Sequence, residues 1–197
     1  MRFRTAFVVI VFFGAATSAR AQHGTPVVAG PGTAPREVSQ YDFLVGDWDL
    51  KVQVPATSLA TKIHGMPKLV GTWKVRKALD GWGLEDDLRI TDIAGNPASM
   101  AHAVRYYDRA TKRWTISALE VYRGRFSTAT GQWNGKEMVT TSASKDADGK
   151  PIMLRTRLFD ITPTSFSYQQ DKSDDNGKSW DDWTLKIQAK RAGSRSR

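Results

Sequence analysis

Three ionisable residues in the middle of the chain, Asp86, His102 and Glu120, are spaced so that they could do acid–base chemistry together. An imidazole between two carboxylates can serve as a general base, a proton switch or half of a metal site. In a series of short strands, a turn centred near Gly95 sets His102 opposite Leu88 and diagonal to Asp86. A turn centred near Ala110 sets it opposite Ala118 and diagonal to Glu120. Diagonal neighbours lie roughly 7–8 Å apart, within reach of long side chains. Asp86 shares its parity with Leu84, Leu88 and Ile90, and Glu120 shares its parity with Trp114, Ile116 and Ala118. The spacing therefore predicts the trio on the dry face of a sheet. The plainer reading of His102 is a core histidine that ties neighbouring strands together. A register slip of two residues keeps the face and removes the contacts.

The remaining histidines have simpler settings. His23 would stand second in a mature chain, where it and a free amine could hold copper loosely. His64 lies in the connection 55–67 and could gate a mouth. Asp146 and Asp148 begin like a calcium loop, but Gly149 comes too early and the closing Glu is absent. The chain has no Cys, which excludes disulfides, thiolate nucleophiles and Cys-based metal sites. No metal site and no cofactor are implied.

Candidate ligand contacts are Trp73, Trp82, His102, Tyr106, Trp114 and Tyr168. Trp73, Trp82 and Trp114 fit an aromatic-lined pocket as well as a core, whereas Trp48 and Trp180 read as core or barrel-end plugs. Arg155 and Arg157 alternate against Ile152, Leu154, Thr156 and Leu158, which predicts that the arginines face water. Turned inward, such an arginine would pair with a ligand carboxylate.

The elements that must position these residues are short alternating runs. In the first, Trp48, Leu50, Val52 and Val54 share one face, and Asp47, Asp49, Lys51 and Gln53 the other. A period of two marks a half-buried strand. Ten such runs are predicted, at 48–54, 68–79, 82–91, 99–107, 113–121, 123–130, 136–143, 151–160, 165–171 and 180–190. In the fourth, Met100, His102, Val104 and Tyr106 oppose Ala101, Ala103, Arg105 and Tyr107. Turn signals separate the runs, among them Asp80-Gly81, Asn134-Gly135, Asp148-Gly149 and Asn176-Gly177. Even spacing without a helical period predicts an all-β meander closed into a ten-stranded antiparallel up-and-down barrel. Tyr41, Phe43 and Leu44 are expected to plug one end, and the connection 55–67 has the length of a lid or mouth.

Residues 1–21 read as a cleaved signal peptide: Arg2 and Arg4, the apolar run Ala6–Ala16, then Ala19-Arg20-Ala21 before Gln22. The run is far short of the ~20 apolar residues of a spanning helix. Residues 22–37 read as a flexible leader, 38–190 as one barrel domain and 191–197 as a basic tail. The formal net charge of +9 is concentrated at the ends. Val38 to Ala189 holds 21 basic and 19 acidic residues, so the body lacks the basic stripe of a nucleic-acid surface. The tail could still touch anionic lipid or envelope polymer.

Phe43-Leu44-Val45-Gly46-Asp47-Trp48 resembles the opening of a family of secreted bacterial domains of unknown function with lipocalin-like (calycin) barrels. Similar in order and spacing are Leu79-Asp80-Gly81 before Glu85, Tyr107-Asp108 before Trp114, and Ser173-x-Asp175-x-Gly177-x-x-Trp180. The resemblance spans Tyr41 to Arg191 and implies a calycin barrel, without catalytic residues to carry over. The Ser-x-Asp-x-Gly-x-x-Trp run also matches the Asp-box hairpin of sialidase-like propellers. It occurs once here, in a chain too short for blades, and reads as a structural turn. The expectation is an exported barrel, periplasmic or extracellular, that binds a small apolar or amphipathic molecule in its lumen. An enzyme built on Asp86, His102 and Glu120, and an envelope interaction module with a filled core, are the alternatives.

Overall fold

Alternation along Gly46–Gln53 becomes strand β1, with Trp48, Leu50 and Val52 buried and the residues between them exposed. The computed structural model describes residues 32–56, 65–66, 68–181 and 183–193. Residues 1–21, read above as a signal peptide, and also His23, His64 and residues 194–197 of the tail lie outside the described residues. Nine further strands follow: β2 Leu69–Ala78, β3 Gly83–Asp92, β4 Pro97–Asp108, β5 Arg113–Glu120, β6 Arg125–Trp133, β7 Met138–Lys145, β8 Pro151–Phe159, β9 Ser165–Ser173 and β10 Leu185–Arg191. Each pairs antiparallel with its sequence neighbours, and β10 pairs back to β1 to close the barrel. Closure leaves no strand edge unpaired, which is how an all-β domain hides both its apolar face and its edge amides.

Turn chemistry explains where the strands stop. Asp92, Asn134 and Asp146 each turn a side-chain oxygen onto two backbone amides of their own turn. Such acceptors replace the missing ladder partners. Two boundaries differ from expectation by three residues or more. β6 runs on to Trp133 because Gly131 and Gln132 still pair with β7. β10 starts at Leu185, because Trp180 leaves the sheet to cover the outer wall.

One end of the barrel is plugged. The 3-10 segment Arg36–Leu44 places Val38, Tyr41 and Leu44 in the core, as the sequence predicts for Tyr41 and Leu44. Tyr41 meets Trp114 edge-on at 4.6 Å between ring centroids, and Trp48 meets Phe166 at 4.8 Å. Phe43 bridges Trp133 and Phe166. Trp48 donates its indole N–H to the Leu44 carbonyl and Trp114 donates to the Gln40 side chain, so burial strands neither ring nitrogen. Each fully buried large side chain contributes about 1.5–3 kcal/mol, and these aromatics concentrate that gain at one end. Arg191 clamps the same end. Its guanidinium lies 4.2 Å from the Trp48 ring centroid and donates to the Val45 and Pro163 carbonyls.

Candidate functional site

Inward-facing positions change character along the barrel axis. Toward the plug they are large and buried: Trp48, Trp73, Trp114, Met138, Leu158 and Phe166. Toward the other end the ladder turns Ala101, Ala118, Ser127, Ala129, Ser142 and Ser144 inward. These small residues are only half-buried, although each sits inside a strand. Leu154, Thr156, Tyr168 and Gln170 face them from β8 and β9 and are half-buried too. These half-buried inward positions lie toward the end formed by the β1–β2, β3–β4, β5–β6, β7–β8 and β9–β10 connections. On β1, β3 and β10 the inward residues toward this end, Val52, Ile90 and Ile187, are larger and buried.

Between these positions and the plug lies an ion pair. Arg105 faces inward on β4 between Leu84 and Ile116. Its Nε donates to Asp86 Oδ2 at 2.7 Å, and the side chains are 10% and 3% exposed. Asp86 Oδ1 accepts the Trp73 indole N–H, also at 2.7 Å. The guanidinium carbon lies 5.5 Å from the Tyr41 ring centroid and 5.7 Å from that of Trp73. Burial works against the guanidinium charge, but the Asp86 carboxylate outweighs it and holds Arg105 protonated more firmly than an exposed arginine. Burial also pushes the Tyr41 and Tyr168 hydroxyls above the usual tyrosine range. The Tyr41 hydroxyl lies beside Arg105 without hydrogen-bond geometry to any described residue. One step farther from the plug, Gln170 Nε2 donates to Thr156 Oγ1 and Tyr168 Oη at 3.4 Å each, and those two oxygens are 3.5 Å apart.

The structure separates the three residues predicted to act together. His102 pairs across the ladders with Asp87 and Leu119, and so faces outward. It is 44% exposed and contacts Asp87 through Nδ1 at 2.9 Å. The expected register was one residue off on both sides, and one residue is enough to change faces. A bulge at Ile90 and Thr91 breaks the symmetric hairpin that counting from Gly95 assumes. The alternation of β4 did not reveal this, because outward Met100, Val104 and Tyr106 look as apolar as inward Ala101, Ala103 and Tyr107. Asp86 is inward as predicted, but its base is Arg105. Glu120 stands at the rim and accepts from Arg123 and Arg125. Partial burial there favours its neutral form, but the Arg125 hydrogen bonds outweigh that and hold the carboxyl below its usual range. Among the described residues, no group of three His, Cys, Asp or Glu could hold a metal ion.

The predicted ligand contacts divide. Trp73 and Tyr168 line the lumen, their rings 6.3 Å apart. Trp114 belongs to the plug. Tyr106 is 43% exposed on the outer face. Trp82 follows the β2–β3 turn and stacks under the Arg109 guanidinium, away from the lumen. Sequence reasoning missed Arg105, Thr156 and Gln170. A signal for Arg105 was present: an acid at a dry position of β3 requires a base on a neighbouring strand, and β4 offers only His102 and Arg105.

Arg155 and Arg157 do face outward, yet they flank a dry site. Asp171, outward on β9, is 3% exposed and accepts two hydrogen bonds from Arg155. The β9–β10 connection folds over it and lays Trp180 4.4 Å from the Arg155 guanidinium. Trp180 is thus an outer cover instead of a barrel plug. The hairpin before it has the geometry of a structural turn. Asp175 accepts from the Ser179 amide and hydroxyl and from Ser173, which holds its carboxyl down at about 2. Asn176 and Gly177 follow at positive φ, 61° and 86°. Compared with family models and with curated proteins, the chain matches none.

Proposed function

We propose that this barrel binds one small amphipathic molecule in its lumen, and that it does so outside the cytoplasm after removal of residues 1–21. The observation that supports the reading is the half-buried state of the small inward residues between the ion-pair floor and the rim. A filled core would show these positions as buried as Trp48 or Leu158. Lumens of this kind hold a ligand mostly by apolar contact, with a few polar groups that fix its orientation. Here the walls supply Leu88, Leu154 and Trp73, and the polar groups are Tyr168, Thr156 and Gln170.

Native mass spectrometry of the protein taken from its own cell envelope tests this directly. The expected result is a retained small molecule on a chain that begins at Gln22. The neutral fluorophore N-phenylnaphthylamine should brighten on binding the purified protein, and Ala118→Trp, which fills the lumen, should abolish the signal. If the fluorophore stays dark, or brightens equally with the filled variant, the lumen is not a binding site and the interaction-module reading takes its place.

A further inference from the structure

Three inward-facing charges are already matched. Asp86 is paired with Arg105 at the floor. Glu120 is paired with Arg125 at the rim. Lys172, inward on β9 opposite Leu154, donates to Asp174 and lies 3.7 Å from Asp181. Asp86, Glu120 and Lys172 thus each have a counter-charge. A ligand that carried a net charge into this space would lose its hydration and find no unmatched partner among them, and that cost is the dominant one in a low-dielectric site.

The uncharged polar groups are in the opposite condition. Thr156, Tyr168 and Gln170 face inward on adjacent strands, where Thr156 pairs with Gln170 and Leu158 with Tyr168. Their mutual contacts of 3.4–3.5 Å lie at the long limit for such bonds. Elsewhere in the protein, an amide donates to a hydroxyl at 3.0 Å, Gln188 Nε2 to Ser167 Oγ. A hydroxyl, a phenol and an amide held this loosely offer donors and acceptors to a fourth group at better geometry than they offer each other. Burial keeps the Tyr168 phenol in its neutral form. The inward positions Ala118 and Ala129 on β5 and β6 are small, apolar and half-buried.

From this we infer that the lumen selects an uncharged amphiphile, one whose hydroxyl or carbonyl head meets Thr156, Tyr168 and Gln170 while its hydrocarbon chain lies toward the mouth. The inference rests on the proposed lumen binding and adds its ligand class. Arg105, despite its charge, is not a carboxylate receptor here, because Asp86 already occupies that role.

Displacement of N-phenylnaphthylamine by matched chains decides it. At neutral pH decanol and methyl decanoate should compete about tenfold more tightly than ionised decanoate. Thr156→Val combined with Gln170→Leu should weaken decanol about tenfold, with folding checked by near-ultraviolet circular dichroism. Asp86→Asn should raise decanoate affinity about tenfold without helping decanol, because it releases the guanidinium for a charged acceptor. If Asp86→Asn does not fold, as judged by near-ultraviolet circular dichroism, the wild-type comparison and the Thr156/Gln170 variant still decide. Decanoate binding to the wild type as tightly as decanol would overturn the ligand class while leaving lumen binding standing. Failure of the fluorophore itself to bind would remove both.

Discussion

Asp86 and Asp87 are consecutive residues of one strand and live in different solvents. Asp86 is 2% exposed inside the barrel and shares its oxygens between Arg105 and the Trp73 indole. Asp87 points outward, 38% exposed, between His102 and Arg76. Asp171 makes a third case, outward like Asp87 but covered by the β9–β10 connection. A strand's parity chooses the side of the wall, but dryness depends on what lies over that side. An exposed ion pair contributes little because water screens it. A buried one costs heavily if broken, because the remaining charge cannot be hydrated.

The largest expected effect tests the inner pair. Arg105→Leu leaves Asp86 buried and unpaired and should cost about 3–5 kcal/mol in urea unfolding. The double change Asp86→Leu with Arg105→Met should recover most of that loss, since both charges leave together. A single-variant cost under about 1 kcal/mol would mean that water reaches Asp86.

Within the inner face, Ala189→Leu and Ala118→Leu separate the two ends of the lumen. Ala189 is 1% exposed against the plug, so overpacking it should cost about 1–3 kcal/mol. Ala118 is only half-buried and, with the lumen proposed here, should accept the larger side chain within about 0.5 kcal/mol. Equal costs in thermal denaturation would contradict the difference between the plugged end and the proposed lumen.

Gly177→Val addresses the cover over Asp171. A β-branched residue at a φ of 86° is strained, and the added carbon would also meet Met153 and Trp180 at 3.5 Å. The expected loss is about 1–2 kcal/mol. An unchanged melting temperature would show that this turn is not what holds Trp180 on the wall.

The smallest effect belongs to the outer pair. The hydrogen bond from His102 is the main reason that the Asp87 carboxyl titrates below its usual range, with Arg76 adding to it and partial burial opposing. A lowered carboxylate stabilises the fold above its unfolded value, and the contribution is lost as pH falls through the lowered folded value. His102→Gln should therefore flatten the acid side of the stability profile, by less than about 0.5 kcal/mol and only at low salt. A flattening that persists in high salt would place the pair in a drier setting than the outer face provides.

Much of the architecture was legible before any coordinates. The alternation of Trp48, Leu50 and Val52 against charged neighbours has only one physical reading, a strand with a wet and a dry face. Asn-Gly and Asp-Gly pairs mark turns because those residues tolerate positive φ and cap their own amides. The candidate site was legible only in part. Asp86 was placed on the dry side because its neighbours at two-residue spacing are apolar, and Trp73 and Tyr168 were candidate ligand contacts as aromatics. His102 was misplaced, because both faces of β4 are comparably apolar and a single bulge in the hairpin shifts the pairing by one.

Local patterns thus determined the ten strands, the turns between them and the aromatic segment that closes one end, since propensity and parity act within a few residues of sequence. The partners of Asp86 and His102, the loose cluster of Thr156, Tyr168 and Gln170, and the incomplete burial of the small inward residues were decided only by tertiary structure. They depend on register and on what each strand meets across the barrel, and a one-residue shift in pairing, which scarcely alters local energetics, reverses every one of them.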